Sequence, residues 1–124
     1  MTFSHEQLLD VLRIGHASSM RGEGFSLRDA IARSGYRNIR KYFDRNDLIP
    51  LLKENPDLIS QWLRYCEDKR TSGGYWVSEQ TCEVGSMESP HSNIRCETIE
   101  VAIAEYVLRE IDYWIAVADR RTID

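Results

Sequence analysis

The stretch ETIEVAIAEYVLREIDYWIAVAD, residues 97–119, decides how the rest of the chain is read. Within it Ile99, Ala102, Ile103, Tyr106, Val107, Ile111, Trp114 and Ala118 return at intervals of three and four, the period that gathers side chains on one face of an α-helix. An apolar stripe of that length has to be covered by other elements, so this segment is expected to be the central core helix.

Immediately upstream the period is lost. Tyr75 to Val84 contains Trp76, Val77, Thr81, Cys82 and Val84, residues that favour a strand, and no helical stripe runs through it. Gly85 to Asn93 reads as a polar loop, and Asn93 to Cys96 is expected to pair back as a second short strand, because a lone strand leaves its backbone groups unpaired. Further back, Asn55-Pro56-Asp57 is a helix start: a capping Asn, a proline where no N–H is needed, and an acid in the first turn. The helix it opens carries Leu58, Ile59, Trp62, Leu63 and Cys66 on one face and ends at Ser72-Gly73-Gly74.

The N-terminal half reads as shorter pieces. Ser4 and Gln7 form a capping box that opens a helix to about Ser18, with Leu8, Leu9, Val11, Leu12 and Ile14 as its apolar positions. Ser26 caps a short helix through Leu27, Ala30 and Ile31 that Gly35 ends. Tyr36 to Phe43 is expected to make a turn or short helix burying Ile39, Tyr42 and Phe43. Asn46 or Asp47 can cap the run Leu48, Ile49, Leu51, Leu52, with Pro50 confined to its first turn. The predicted fold is therefore α+β and predominantly helical: about five helices around a long C-terminal one, with a small β-strand or hairpin from about residue 75, in a single globular domain spanning 1–124.

The composition, 42% hydrophobic and 29% charged in 124 residues, is that of an ordinary globular chain able to bury a core without staples. The first residues have neither the basic start nor the apolar core of a secretory signal. Polar residues interrupt every hydrophobic run before membrane-spanning length, so a cytoplasmic chain without a membrane span is expected. Cys66, Cys82 and Cys96 are odd in number and widely spaced, which predicts free thiols.

The sequence offers no organised catalytic set. Cys82, His91, Cys96 and Cys66 lack the close spacing of a zinc site, and thiols on apolar faces pack as small hydrophobes. There is no nucleophile elbow, phosphate-binding loop or dinucleotide fingerprint, and His5 and His16 read as surface or capping residues. No metal and no cofactor are implied, and the chain reads more as a binding protein than as an enzyme.

The densest polar cluster surrounds a helix end. In Asp68-Lys69-Arg70-Thr-Ser-Gly-Gly-Tyr75-Trp76, a binding edge would use Lys69 and Arg70 as anion donors and Tyr75 or Trp76 as an anchor, with Asp68 beside them. The structural reading, which is favoured, makes the basic residues complements of the helix dipole, the glycines a C-cap and the aromatics core filling.

A second cluster is electrostatic. The net charge of −4 speaks against coating nucleic acid, yet Ser26 to Arg45 holds Arg28, Arg33, Arg37, Arg40, Lys41 and Arg45 against only Asp29 and Asp44. That segment carries +4, leaving −8 on the remainder. Within it, Phe25-Ser-Leu-Arg-Asp-Ala-Ile-Ala-Arg-Ser-Gly35 followed by Tyr36-Arg-Asn-Ile-Arg-Lys-Tyr42-Phe43, with the first helix before it, resembles the N-terminal helix-turn-helix of tetracycline-repressor-type regulators. In that family a short helix ends at Gly and the recognition helix finishes in an aromatic pair. The resemblance covers the first third to half of the chain. It implies a groove-facing helix around Arg37 to Lys41, with Arg33, Arg37, Asn38, Arg40 and Lys41 as nucleic-acid contacts. The Gly35 to Phe43 interval is about two residues shorter than the family's, which turns the reading face by roughly half a turn. Arg40 stands where the family's aromatic lies, and Asn46 replaces its lysine. These departures leave DNA binding as an alternative.

The leading expectation for function is a small, non-catalytic interaction or regulatory protein with a protein partner, self-associating through surplus apolar residues of the last helix, among them Tyr106, Tyr113 and Trp114. The alternatives are the DNA-binding module of residues 26–45 and a ligand-binding protein or enzyme using the turn at 68–76.

Overall fold

A computed structural model describes residues 4–19, 27–69, 73–89 and 92–123. In chain order these form α1 (His5–Leu12), α2 (Ile14–Ser19), α3 (Leu27–Ser34), α4 (Tyr36–Ile39), a 3-10 turn (Arg40–Tyr42), α5 (Arg45–Glu54), α6 (Pro56–Asp68), β1 (Tyr75–Ser78), β2 (Glu83–Ser86), β3 (Ile94–Arg95) and α7 (Ile99–Ile123). The fold is α+β and predominantly helical, with α7 packed against α3, α5, α6, β1 and β2. Among the described residues no helix is long and apolar enough to cross a membrane.

The capping box of Ser4 and Gln7 forms in both directions, but the first helix does not run unbroken to Ser18. Leu12's carbonyl, which in a continuous helix would accept from the His16 N–H, instead accepts the indole N–H of Trp62 at 2.7 Å. Gly15 lets that ring approach, since a Cβ there would stand 2.7 Å from it. The chain therefore turns at Arg13 and restarts as α2. The cap expected from Ser26 lies outside the described residues.

Gly35 ends α3 in the left-handed conformation at φ 74°. After it, α4 and the 3-10 turn bury Tyr36, Ile39 and Phe43, whereas Tyr42 is exposed. The 3-10 turn advances fewer residues per revolution than an α-helix, which swings Tyr42 out of the apolar phase. Asp44, rather than Asn46 or Asp47, caps α5: it accepts from the Asn46 N–H, and Asp47 reciprocates onto the Asp44 N–H at 2.9 Å. That earlier start places Pro50 inside the helix, deeper than the first turn. Asn55 is the N-cap residue of α6, as expected, but its side chain bonds back to the Leu51 carbonyl of α5 and makes no cap hydrogen bond to α6.

The segment from residue 75 holds two strands where one was expected. Turn residues 79–82 separate β1 from β2, with Cys82 in left-handed backbone at φ 56°, and β3 completes an antiparallel sheet of order β1-β2-β3. Trp76 faces Gly85 across the β1–β2 ladder, where the missing side chain leaves room for the indole. The core centres on α7, with Ala102, Ile103, Tyr106, Val107 and Ile111 fully buried. Trp62, Tyr65 and Tyr106 pack there as tilted and edge-on rings with centroids 5.3 to 6.5 Å apart.

Candidate functional site

Two polar assemblies meet along α7. The first lies under the turn after α6. Glu110 stands on the apolar stripe of α7, one helical turn from both Tyr106 and Trp114, and is completely buried. Its carboxylate accepts from the Tyr65 hydroxyl (2.7 Å), the Lys69 ammonium (2.9 and 3.0 Å), the Tyr75 backbone N–H (2.8 Å) and the Trp114 indole N–H (2.8 Å). Lys69 also donates to the Tyr75 carbonyl at 2.7 Å. A buried charge persists only when paired and fully hydrogen-bonded, and this one has donors from α6, β1 and α7. Gly74, at φ 83°, leaves the space: a Cβ would fall within 2.9 Å of the Lys69 nitrogen and closer still to Glu110. Burial first and Glu110 second hold the Tyr65 hydroxyl far above its ordinary range.

The structure thus brings Lys69 and Tyr75 together, but with the ammonium turned inward onto Glu110. Asp68 is exposed at the end of α6, and Trp76 is half-buried over Gly85. Arg70 lies outside the described residues.

The second assembly is a ladder. Glu105, Asp112 and Asp119 stand seven residues apart on α7, and each takes a guanidinium from the basic segment. Arg45 meets Glu105 at 2.9 Å, Arg40 meets Asp112 at 3.1 Å, and Arg37 meets Asp119 at 3.0 Å. Asp112 also accepts from the Tyr36 hydroxyl at 2.7 Å; burial, with this bond adding to it, keeps Tyr36 protonated well above the usual tyrosine range. Lys41 lies over the Tyr42 ring at 5.2 Å, and Arg33 and Asn38 are exposed. The segment read as a groove-facing helix is thus a single turn of α-helix and a 3-10 turn, with Arg37 and Arg40 directed onto α7.

Beside the ladder, between the start of α5 and α7, lies a depression of about 330 Å³ lined by Arg40, Asp44, Arg45, Asn46, Glu105, Leu108, Arg109 and Asp112. Arg109 joins it to the first assembly, donating to Glu105 at 2.6 Å while its guanidinium stands 5.9 Å from the Tyr75 ring centre. The carboxylates here are already used: Asp44 caps α5, Asp112 holds Tyr36 and Arg40, and Glu105 holds Arg45 and Arg109. The arginines are not. A guanidinium has five N–H donors, and among the described contacts Arg45 and Arg109 each spend one while remaining partly exposed.

Of the residues considered for self-association, Tyr106 is in the core, and Trp114 is tied to Glu110 and edge-packed on Tyr113. Among the described residues the exposed large hydrophobics are Tyr42 and Met87, neither on α7. Cys66, Cys82 and Cys96 are half-buried free thiols, and no group of three or more metal-ligating side chains occurs among the described residues.

Sequence reasoning missed Glu110, Glu105 and Asp112. A signal was present for each: a lone carboxylate inside an apolar stripe, and acids recurring every seventh residue of one helix opposite an arginine-rich segment. In comparisons with protein-family models, curated proteins and solved structures, nothing matches this chain.

Proposed function

We propose that the chain is a non-catalytic binding protein that takes an acidic protein segment into the groove between α5 and α7. One observation carries this reading: Arg45 and Arg109 converge, beside the engaged Arg40, on a single depression whose carboxylates already hold described partners, and the two keep N–H donors unspent among the described contacts. The surplus complements an acceptor-rich partner, and guanidinium forks suit carboxylates, which they bind in bidentate fashion. The lining includes one aliphatic residue, Leu108, whereas pockets for drug-like molecules are mostly apolar. Arginine is also among the residues enriched at protein interfaces.

The test is a fluorescence titration with three probes of equal length: a Glu/Ala peptide, a Lys/Ala peptide and a single-stranded oligonucleotide. The Glu/Ala peptide is expected to bind, weakly at high salt, and to lose binding in the Arg45→Glu/Arg109→Glu variant. Equal binding of the acidic peptide by that variant, or no preference over the Lys/Ala peptide, sinks the proposal. Tighter binding of the oligonucleotide, abolished by neutralising Arg37 and Lys41, would favour the DNA-binding alternative.

A further inference from the structure

The sheet places two of the three thiols opposite each other. The β2–β3 register pairs Val84 with Ile94 and Glu83 with Arg95, and one step further along it, just beyond both strands, Cys82 stands opposite Cys96. The pairing continues to that step, because the Cys96 N–H donates to the Cys82 carbonyl at 2.8 Å. Only this one bond of the pair forms, since the Cys82 N–H turns back to the Ser78 carbonyl at 2.9 Å; facing residues of antiparallel strands have Cα atoms about 4.5–5.5 Å apart, and disulfides span Cα separations of about 4.4–6.8 Å. Both side chains pack against the same core, and the Cys82 thiol is near enough to Cys96 to act on it electrostatically. Cys66 is placed elsewhere, its sulfur directed at the Val77 carbonyl.

A cysteine is an unusual occupant of left-handed backbone, which is unfavourable for a residue with a Cβ. Cys82 holds that conformation at the last position of the β1–β2 turn, where glycine or asparagine would be easier.

We propose that Cys82 and Cys96 form an oxidant-responsive dithiol that closes to an intramolecular disulfide across the end of β2 and β3. With a hydroperoxide as oxidant, the Cys82 thiolate attacks the peroxide oxygen. An S–O bond forms, the O–O bond breaks, and the leaving hydroxide takes the proton released by the thiol. The Cys96 thiolate then attacks the sulfenic sulfur: S–S forms, S–O breaks, and the second hydroxide leaves as water with the Cys96 proton. Two thiols are oxidised by two electrons in all, and hydrogen peroxide is reduced to two waters. The order follows from position. Cys82 lies on the turn, while burial pushes the Cys96 thiol up, with Glu105 adding to the effect and the Arg45 guanidinium opposing it. The dithiol does not depend on what the α5–α7 groove binds.

The native chain, treated with hydrogen peroxide and then denatured, is expected to show one titratable thiol instead of three and a mass lower by two hydrogens. Trypsin cuts after Arg95 and so separates the two cysteines. Unreduced digestion is expected to yield the Cys82 and Cys96 peptides joined, with the Cys66 peptide free. The Cys96→Ser chain, which removes only the second nucleophile, is expected to retain a sulfenic acid on Cys82 that dimedone traps. Linkage through Cys66, linkage between molecules, or oxidation of single cysteines without linkage overturns the proposal.

Discussion

The carboxylate of Glu110 lies 2.9 Å from the Lys69 ammonium with neither side chain open to solvent, the acid wholly buried and the lysine 7% exposed. Around this pair a helix end, a glycine turn, the first strand and the long helix are all joined through one side chain, so its removal is felt in each of them.

Glu110→Gln keeps the shape but removes the charge and turns an amide NH₂ toward donors. It leaves the Lys69 ammonium buried and unpaired, and breaking a buried pair in this way costs about 3–5 kcal/mol. Urea denaturation is expected to show a loss of that order, with Lys69→Met destabilising in the same direction. The double variant is expected to lose less than the two single losses together. An unchanged midpoint for Glu110→Gln would contradict the role assigned to this carboxylate.

Gly74 and Gly35 both hold positive φ, but only Gly74 is crowded. Gly35→Ala is expected to cost about 1–2 kcal/mol, the left-handed penalty alone. Gly74→Ala adds displacement of Glu110 and Lys69 and is expected to cost clearly more. Thermal melts of the two variants side by side decide the point, and equal losses would mean the Gly74 backbone is not held against the ion pair.

Tyr106 is fully buried, and among the described residues its hydroxyl makes no hydrogen bond, although the Cys66 thiol is close enough to help hold its proton. An unsatisfied buried hydroxyl costs about 1–3 kcal/mol. Tyr106→Phe is therefore expected to raise stability or leave it unchanged, against the usual direction for a core substitution. A clear drop in the denaturation midpoint would reveal an unrecognised partner for that oxygen.

The hydroxyls of Tyr36, Tyr65 and Tyr106 are all driven upward, by burial first and by Asp112 or Glu110 next. An unfolded tyrosine ionises near about pH 10. The folded chain holds these protons beyond that pH, so their contribution to stability is complete below about pH 10 and is progressively lost as pH rises above it. The melting temperature is expected to fall steeply above that pH, with tyrosinate absorbance from these residues appearing together with the loss of helix circular dichroism. Full ionisation of all tyrosines in a chain still helical would refute this.

Where the sequence was informative, the signal was local. Ser4 and Gln7 find each other three residues apart, Gly35 stops its own helix, Pro56 starts α6, and the apolar stripe from Ile99 to Ile111 needs nothing beyond its own period. What was missed depends on distant partners or on phase. Glu110 looks like a surface acid because its donors arrive from Tyr65, Lys69 and Tyr75, which lie 35 to 45 residues away. The turn between β1 and β2 was read as strand because Glu79-Gln80-Thr81-Cys82 contains none of the usual turn formers, its left-handed position being held by a cysteine. The arginines of residues 26–45 suggested an outward anion-binding face because the acids that answer Arg37, Arg40 and Arg45 lie on the last helix.

The dependence of early segments on α7 also orders events on the ribosome. Tyr36, Arg40, Arg45, Tyr65 and Lys69 are translated before the carboxylates they bind, Glu105, Glu110 and Asp112. Until residues through 112 leave the exit tunnel, the nascent chain holds helices with exposed apolar faces and cations without their anions. These non-local pairings therefore close only once α7 has emerged, after every other described element has been made.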